Sequence, residues 1–355
     1  MAGVSGLRPW LGVLLRELPR YTWALSGADD RYLALCNRRE RLQAAPSGPD
    51  YRCDWHWTSD LHAPKYFPSL GRRLTARALA DHPIRREAMP ASPGEPPAVS
   101  FVIGHRGESR LPHLLATLES IAGQQGVAVE CIVVEQDIEP RVASRLPTWV
   151  RHVHAPPPSA DMPYCRSWAF NVGARRARSP LLVLHDNDIL IPCDYAANIV
   201  EHVRQGHEVV NLKRFIFFLD EAHSVDFFSG VAGIAERPPL AIMQNAEGGG
   251  SIAITREGFE RIGGMDESFV GWGGEDNEFW ERAGTLKVWP FGYLPLVHLW
   301  HAAQSGKYQA DNRTLARHRE LAAIPASQRI AALRKVPGGA DSGPHGWSPI
   351  EGKLQ

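Results

Sequence analysis

The chain has 355 residues, 44% of them hydrophobic, so it exceeds one average domain and can bury a sizeable core. Lysine plus arginine and aspartate plus glutamate each total 39, and the resulting zero net charge argues against nucleic acid as the main partner. The local basic run Arg175-Arg176-Ala177-Arg178 reads as a solvated helix end.

Five cysteines (Cys36, Cys53, Cys131, Cys165 and Cys193) form no CxxC pair and are odd in number, which points to a reducing compartment. Near the start, Leu11–Leu15 is apolar but too short to span a bilayer, and no small-residue cleavage site follows it. These features together predict a soluble, cytoplasmic protein without a transmembrane segment. The Arg-, Leu- and aromatic-rich region up to residue 86, with Asp54-Trp55-His56-Trp57, reads as an accessory helical subdomain packed on the main one. Residues 87–98, rich in Pro, Ser and Gly, read as a linker.

Regular alternation begins after the linker. Val99–Ile103 is an apolar run suited to a buried parallel strand. Leu111, Leu114, Leu115, Leu118 and Ile121 then recur at helical spacing, with Pro112 tolerated in the first turn. Val129–Val134 and Val150–Val153 read as further strands, Arg166–Arg178 as a helix, and Leu181–Leu184 as another buried strand. Such alternation builds an α/β fold, a mostly parallel sheet flanked by helices. Ligands on these sheets sit beyond the carboxyl ends of the strands. His105-Arg106, Glu135-Gln136-Asp137 and Asp186-Asn187-Asp188 all fall at such ends, so the sequence predicts one site there. The second half is less regular: Val209–Phe218 and Ser251–Thr255 read as strands, Arg256–Ile262 and Leu315–Leu333 as helical, and Pro337–Gln355 as a flexible tail. Three regions follow: 1–97 (accessory region and linker), 98–310 (the catalytic body, with halves 98–190 and 191–310), and 311–355 (helical segment and tail).

Three clusters carry chemistry. In Asp186-Asn187-Asp188 two carboxylates one residue apart can grip a hard divalent cation, although Asp and Asn also favour turns. His298 and His301 end the apolar run Leu294–Val297 and can converge on one metal, or one can bind while the other packs. A carboxylate–imidazole set suits Mn²⁺ better than Ca²⁺, and Zn²⁺ fits the ligand types too. Gly271-Trp272-Gly273-Gly274-Glu275-Asp276 is the strongest signal: glycines free a backbone around a Trp, as a loop closing over a ligand needs, and two acids open a helix behind it. A base is required wherever a sugar hydroxyl must act as nucleophile. Gly248-Gly249-Gly250-Ser251 either lets a ligand approach the backbone or is simply a flexible loop.

Together these residues resemble the GT-A nucleotide-sugar glycosyltransferases, specifically the family 2 enzymes and the catalytic domain of the β-1,4-galactosyltransferases. The resemblance runs from Val99 to His301 and continues loosely through Gln304 and Lys307. Ile103-Gly104-His105-Arg106-Gly107-Glu108 with His113-Leu114 stands where that family has I-P-x-R-x-R-x-x-H-L; Arg106 matches, whereas Gly104 and the spacing before His113 depart. Arg166–Gly173 is similar to the family's N-R-A-x-x-x-N-x-G helix, Asp186-Asn187-Asp188 to its D-x-D, and Trp272–Asp276 to its W-G-G-E-D loop. His298 and His301 stand where the galactosyltransferases have M-x-x-H.

The resemblance implies a GT-A, Rossmann-like fold and a metal-dependent, inverting hexosyltransferase using a nucleotide-sugar, with UDP-sugar first. It implies Asp276 as catalytic base and Asp188, His298 and His301 as metal ligands. Donor contacts would come from His105, Arg106, Asp137, Arg166, Asp186, Gly249, Trp272, Gly274 and Glu275. The cofactor would be Mn²⁺, with Mg²⁺ the alternative, and the acceptor hydroxyl would belong to a glycan, a lipid-linked sugar or a small metabolite. Two other readings compete: a metal-dependent hydrolase using Asp188, His298 and His301, and a non-catalytic nucleotide-sugar-binding module.

Overall fold

A computed structural model describes residues 7–303, 312–336 and 343–344. Gln304, Lys307 and nearly all of the Pro337–Gln355 tail lie outside the described residues. Among the described residues, fourteen strands appear in chain order: β1 (Leu42–Ala44), β2 (Tyr51–Cys53), β3 (Ser59–Asp60), β4 (Val99–His105), β5 (Val129–Glu135), β6 (Val150–His154) and β7 (Leu181–His185). They continue with β8 (Ile189–Leu190), β9 (Val209–Val210), β10 (Lys213–Phe218), β11 (Ala241–Gln244), β12 (Ser251–Thr255), β13 (Val288–Trp289) and β14 (Leu294–His298).

The α/β class expected from the alternation is what the chain adopts. Seven strands form one sheet in the order β13-β9-β12-β7-β4-β5-β6. Its heart is parallel, β7 beside β4, β4 beside β5 and β5 beside β6, while β12 pairs antiparallel with both β7 and β9. Val99, Phe101 and Ile103 of β4 are fully buried, because helices cover both faces of a parallel sheet. The Leu111–Ala122 helix packs Leu111, Leu114, Leu118 and Ile121 into the same core, and the Arg166–Arg176 helix places Phe170 and Ala174 against Val102 and Leu182.

A second sheet of five strands has the order β3-β11-β10-β14-β8. Here the structure departs from the periodicity. Val209–Phe218, read as one strand, is two: β9 belongs to the large sheet and β10 to the small one. Asn211 breaks the run, its Oδ1 accepting from the Lys213 N–H at 3.2 Å as the chain changes sheets. The polar residues Asn211, Lys213 and Arg214 do not reveal such a switch in the sequence, since all three are buried along with the apolar residues around them.

The N-terminal region is also more than helical. It carries the β1–β2 hairpin, and its β3 pairs with β11 at the edge of the small sheet. Tyr21, Tyr32, Leu61 and Leu74 share a core with Phe215, Phe217 and Val297 of that sheet. Buried Arg214 fastens the two: Nε donates to the Leu33 carbonyl at 2.7 Å, Nη2 to that of Leu35 at 2.5 Å, and Nη1 to Gln244 Oε1 at 3.2 Å. Of the aromatic cluster, Trp55 packs inside with Cys36 and Cys53, whereas Trp57 is exposed.

Candidate active site

β7 delivers the Asp186-Asn187-Asp188 turn at its carboxyl end, and β8 leaves it for the small sheet. Because β8 pairs antiparallel with β14, register sets His298 opposite Ile189, one residue from Asp188. The Leu299 N–H then donates to the Asp188 carbonyl at 2.9 Å. Backbone pairing thus brings together residues more than a hundred positions apart. Asp188, His298 and His301 present ligand atoms all within 4.8 Å of one another. His301 Nε2 lies 3.3 Å from Asp188 Oδ2, and His298 Nε2 lies 3.9 Å from Oδ1. Phe218 stacks on His298 with ring centroids 4.4 Å apart, and His113 Nε2 donates to the Trp300 carbonyl at 2.6 Å, fixing the turn between the two histidines.

The electrostatics prepare this triad for a cation. Burial would raise the Asp188 carboxyl, but the neighbouring His298, Arg110 and His301 outweigh it and hold the group below its ordinary range. Burial lowers His301, which favours the neutral imidazole whose lone pair a cation takes. One ionised carboxylate with two imidazoles fits a borderline divalent ion. Arg110 donates to Asp188, and to Asn187 Oδ1 at 3.3 Å.

The second cluster is acidic. Gly274, at φ +89°, turns the chain into the Glu275–Ala283 helix, and a Cβ there would stand 2.7 Å from the His318 Cβ. Only glycine meets both demands. Glu275 and Asp276 open that helix, and Glu275 Oε2 accepts from the Gly273 N–H at 3.1 Å. Arg166, first residue of its own helix, holds the acids together. Its guanidinium contacts Asp186 Oδ1 at 2.7 Å, pairs with Asp276, lies 3.7 Å from Glu275 Oε1, and sits 4.6 Å above the Phe170 ring. Burial, and then the Asp276 charge, push Glu275 up to about 7. Burial also raises Asp276, against the pull of Arg166. Both groups therefore titrate nearer neutrality than free carboxylates do.

A cleft of about 670 Å³ joins the clusters. Arg106, Arg166, Asp186, Asp188, Trp272, Glu275, Asp276, His298 and His301 line it, nine of the residues singled out in the sequence. Four others stand behind the wall. His105 is fully buried, because at the end of β4 its side chain turns inward; Asn187 Nδ2 donates to its Nδ1 at 3.0 Å, and burial pushes it down to about 4. Asp137 accepts from the Gly107 N–H at 2.8 Å and braces the loop after β4. Gly249 lies against Asp276, whose Oδ2 would be 3.4 Å from a Cβ there, and Gly274 faces the Arg313–Ala322 helix. These four shape the site from behind. Arg106 lines the cleft but also donates to the Met162 carbonyl at 2.6 Å, tying down the loop that forms one side.

Sequence reasoning missed several residues. Arg110 carries no signal beyond lying three residues before His113. Lys213 looks like an ordinary strand-end cation, yet it is buried, and its Nζ donates to the Ser251 carbonyl and to that of Glu247 at 3.3 Å. Those carbonyls bracket Gly248-Gly249-Gly250, the backbone on which Asp276 rests. Burial lowers the Lys213 amine to about 7. Thr314 and Asn312 both donate to the Trp272 carbonyl, Asn312 at 3.1 Å, and so anchor the glycine-tryptophan loop from a distant segment.

Comparison with known proteins agrees with these motifs. Residues 240–288 match the family model described as the N-terminal domain of galactosyltransferase. The chain is 28% identical over 146 residues to β-1,4-galactosyltransferase 5 of Danio rerio, covering 38% of this chain and 31% of the relative. It is 28% identical over 127 residues to the Homo sapiens β-1,4-galactosyltransferase 5, covering 34% and 26%. The chain thus spans about a third or less of the length of these curated relatives. Among solved structures it is similar to the catalytic domain of Drosophila β-1,4-galactosyltransferase 7 in complex with xylobiose (17% identity, TM-score 0.37, 62% of this chain and 79% of that one). It is also similar to GalNAc-T7 with UDP, GalNAc and Mn²⁺ (14% identity, TM-score 0.48, 67% and 54%). The Trp272–Asp276 loop falls inside the family-model match, and the chain contains a β-1,4-galactosyltransferase-like domain.

Proposed function

We propose that this chain is a metal-dependent, inverting glycosyltransferase that moves a sugar from a nucleotide-sugar, a UDP-sugar, to an acceptor hydroxyl. The observation that carries this reading is a single cleft holding two unlike sites: the Asp188–His298–His301 ligand set and the buried Glu275–Asp276 pair. Asp188, His298 and His301 would hold the cation, Mn²⁺ in preference to Mg²⁺. A bound divalent ion offsets the charge that builds on a departing diphosphate.

The rest is work for the chain's own side chains. Asp276, its carboxyl raised by burial, takes the proton of the acceptor hydroxyl as that oxygen attacks the anomeric carbon. Attack comes from the face opposite the leaving diphosphate, so the configuration inverts and no sugar–enzyme bond forms. Glu275 bonds to donor-sugar hydroxyls, and Trp272 closes over the donor and seats the acceptor. Arg166, shared between Asp186 and Asp276, keeps the base in line with the turn that carries Asp188. A metal hydrolase would use the Asp–His–His set but leave the acidic pair and its loop without a task. Five free, buried cysteines support placing the protein in a reducing, cytoplasmic compartment.

The test is thermal stabilisation by UDP, GDP and CMP, with and without Mn²⁺, in wild type and Asp188→Ala. Manganese-dependent stabilisation by UDP alone, lost in the variant, is expected. No nucleotide response with any metal would refute the transferase reading.

A further inference from the structure

The first described segment presents apolar side chains on two sides, and only one of them is covered. It runs as the helix Leu7–Gly12, a π-helical turn over Val13–Glu17 and the helix Leu18–Ala24. Val13, Tyr21 and Ala24 turn inward onto the core of the small sheet, and Glu17, the segment's one acid, is buried with them. On the outside stand Trp10 (40% exposed), Leu11 (37%), Leu15 (69%) and Trp23 (59%). A surface helix with a polar outer face is the ordinary case, and one whose outer face carries large apolar side chains among its polar ones marks an interaction surface.

Charge identifies that second phase. Arg16 and Arg20 are exposed on this segment. The neighbouring turn adds exposed Arg38 and Arg39; Arg38 Nη1 would lie 3.6 Å from a Cβ on Gly12, and Arg20 Nη2 lies 4.0 Å from Cys36 Sγ. The Arg31 guanidinium sits 4.4 Å over the Trp23 ring, but it pairs with exposed Asp29 at 2.6 Å and adds no net charge, so the positive surplus comes from Arg16, Arg20, Arg38 and Arg39. In a chain of zero net charge, a surface pairing exposed Leu and Trp with arginines, its sole helical acid withdrawn, is locally cationic. Trp and Leu wedges beside arginines are what an anionic lipid–water interface accepts: rings and aliphatic groups enter the headgroup boundary while guanidinium groups pair with phosphate. Among the described residues no helix is long and apolar enough to cross a membrane.

We propose that the Leu7–Ala24 segment is an interfacial membrane-docking face that seats the protein on anionic bilayers. This inference does not depend on the proposed transfer reaction. The experiment is flotation of the whole chain with phosphatidylcholine vesicles and with vesicles containing a third phosphatidylglycerol. Binding to the anionic vesicles alone is expected, weakened by high salt and lowered about tenfold in Leu15→Glu/Trp23→Ser and in Arg16→Glu/Arg20→Glu. Both pairs change exposed side chains, so their melting temperatures should match wild type; Leu15→Ser/Trp23→Ser serves if the first pair unfolds. Failure of wild type to float, or equal flotation of folded variants, overturns the proposal. So does a wild-type dimer in solution that the Leu15 variant makes monomeric, since the face would then be covered by a second copy.

Discussion

Replacing Glu275 with Gln should make the protein more stable at mildly alkaline pH while disabling it. Glu275 is 8% exposed, and burial together with the Asp276 charge pushes its carboxyl from an ordinary 4.5 to about 7. At about 1.4 kcal/mol per pH unit, that gap corresponds to about 3 kcal/mol of unfolding free energy. The direction follows from which state ionises first. Below 4.5 both states hold the proton and the folded protein has its full stability. Between 4.5 and 7 the unfolded chain ionises while the folded one resists, so stability falls with rising pH; above 7 the loss is complete and constant. Glutamine carries no charge to bury, and its carbonyl can still accept from the Gly273 N–H. The variant should therefore match wild type near pH 4.5 and exceed it by about 3 kcal/mol near pH 8. Urea unfolding with chelator and without nucleotide, repeated across this range, measures the difference directly. A wild-type-to-variant gap that stays constant from pH 4.5 to 8 would refute the reasoning. Loss of turnover alongside the gain would mark Glu275 as a group kept for chemistry at the expense of stability.

Two further substitutions probe the surrounding frame. Gly274→Ala should destabilise by about 2–4 kcal/mol, from the left-handed backbone and from the close approach of His318, and an unchanged melting temperature would contradict that. Lys213→Met should lower kcat about tenfold by loosening the glycine loop beneath Asp276. Because burial depresses the lysine from 10.5 to about 7, its contribution to stability is present above 10.5 and lost as pH falls through 7. The methionine variant should then gain on wild type as pH falls across that interval, and parallel pH profiles would count against the buried charge.

The parallel heart of the large sheet was legible because β4, β5 and β7 are mostly apolar runs, broken only by Ser100 and Glu130, each ending in polar residues that mark a ligand-facing edge. The acidic loop and the two histidines were legible as chemical types. Their convergence was not, since it depends on β8 pairing with β14, and β8 is only two residues long. His105 shows a further limit: at a strand end, neighbouring side chains point to opposite faces, so the residue beside Arg106 turns into the interior. Arg110 and Lys213 escaped because a lone cation in a sequence looks solvated, and only burial and partners distinguish it.

Strand β3, two residues from the region with no readable chemistry, closes one side of the sheet that carries His298. Without it, the Met243–Gln244 end of β11 would present unpaired N–H and C=O groups, and without Leu61 and Ala63 just beyond it Phe215, Phe217 and Ile242 would lose part of their cover. Such a bare edge recruits strands from other molecules. The N-terminal segment is thus part of the small sheet rather than an appendage to it, and removing it should expose a sheet edge open to pairing.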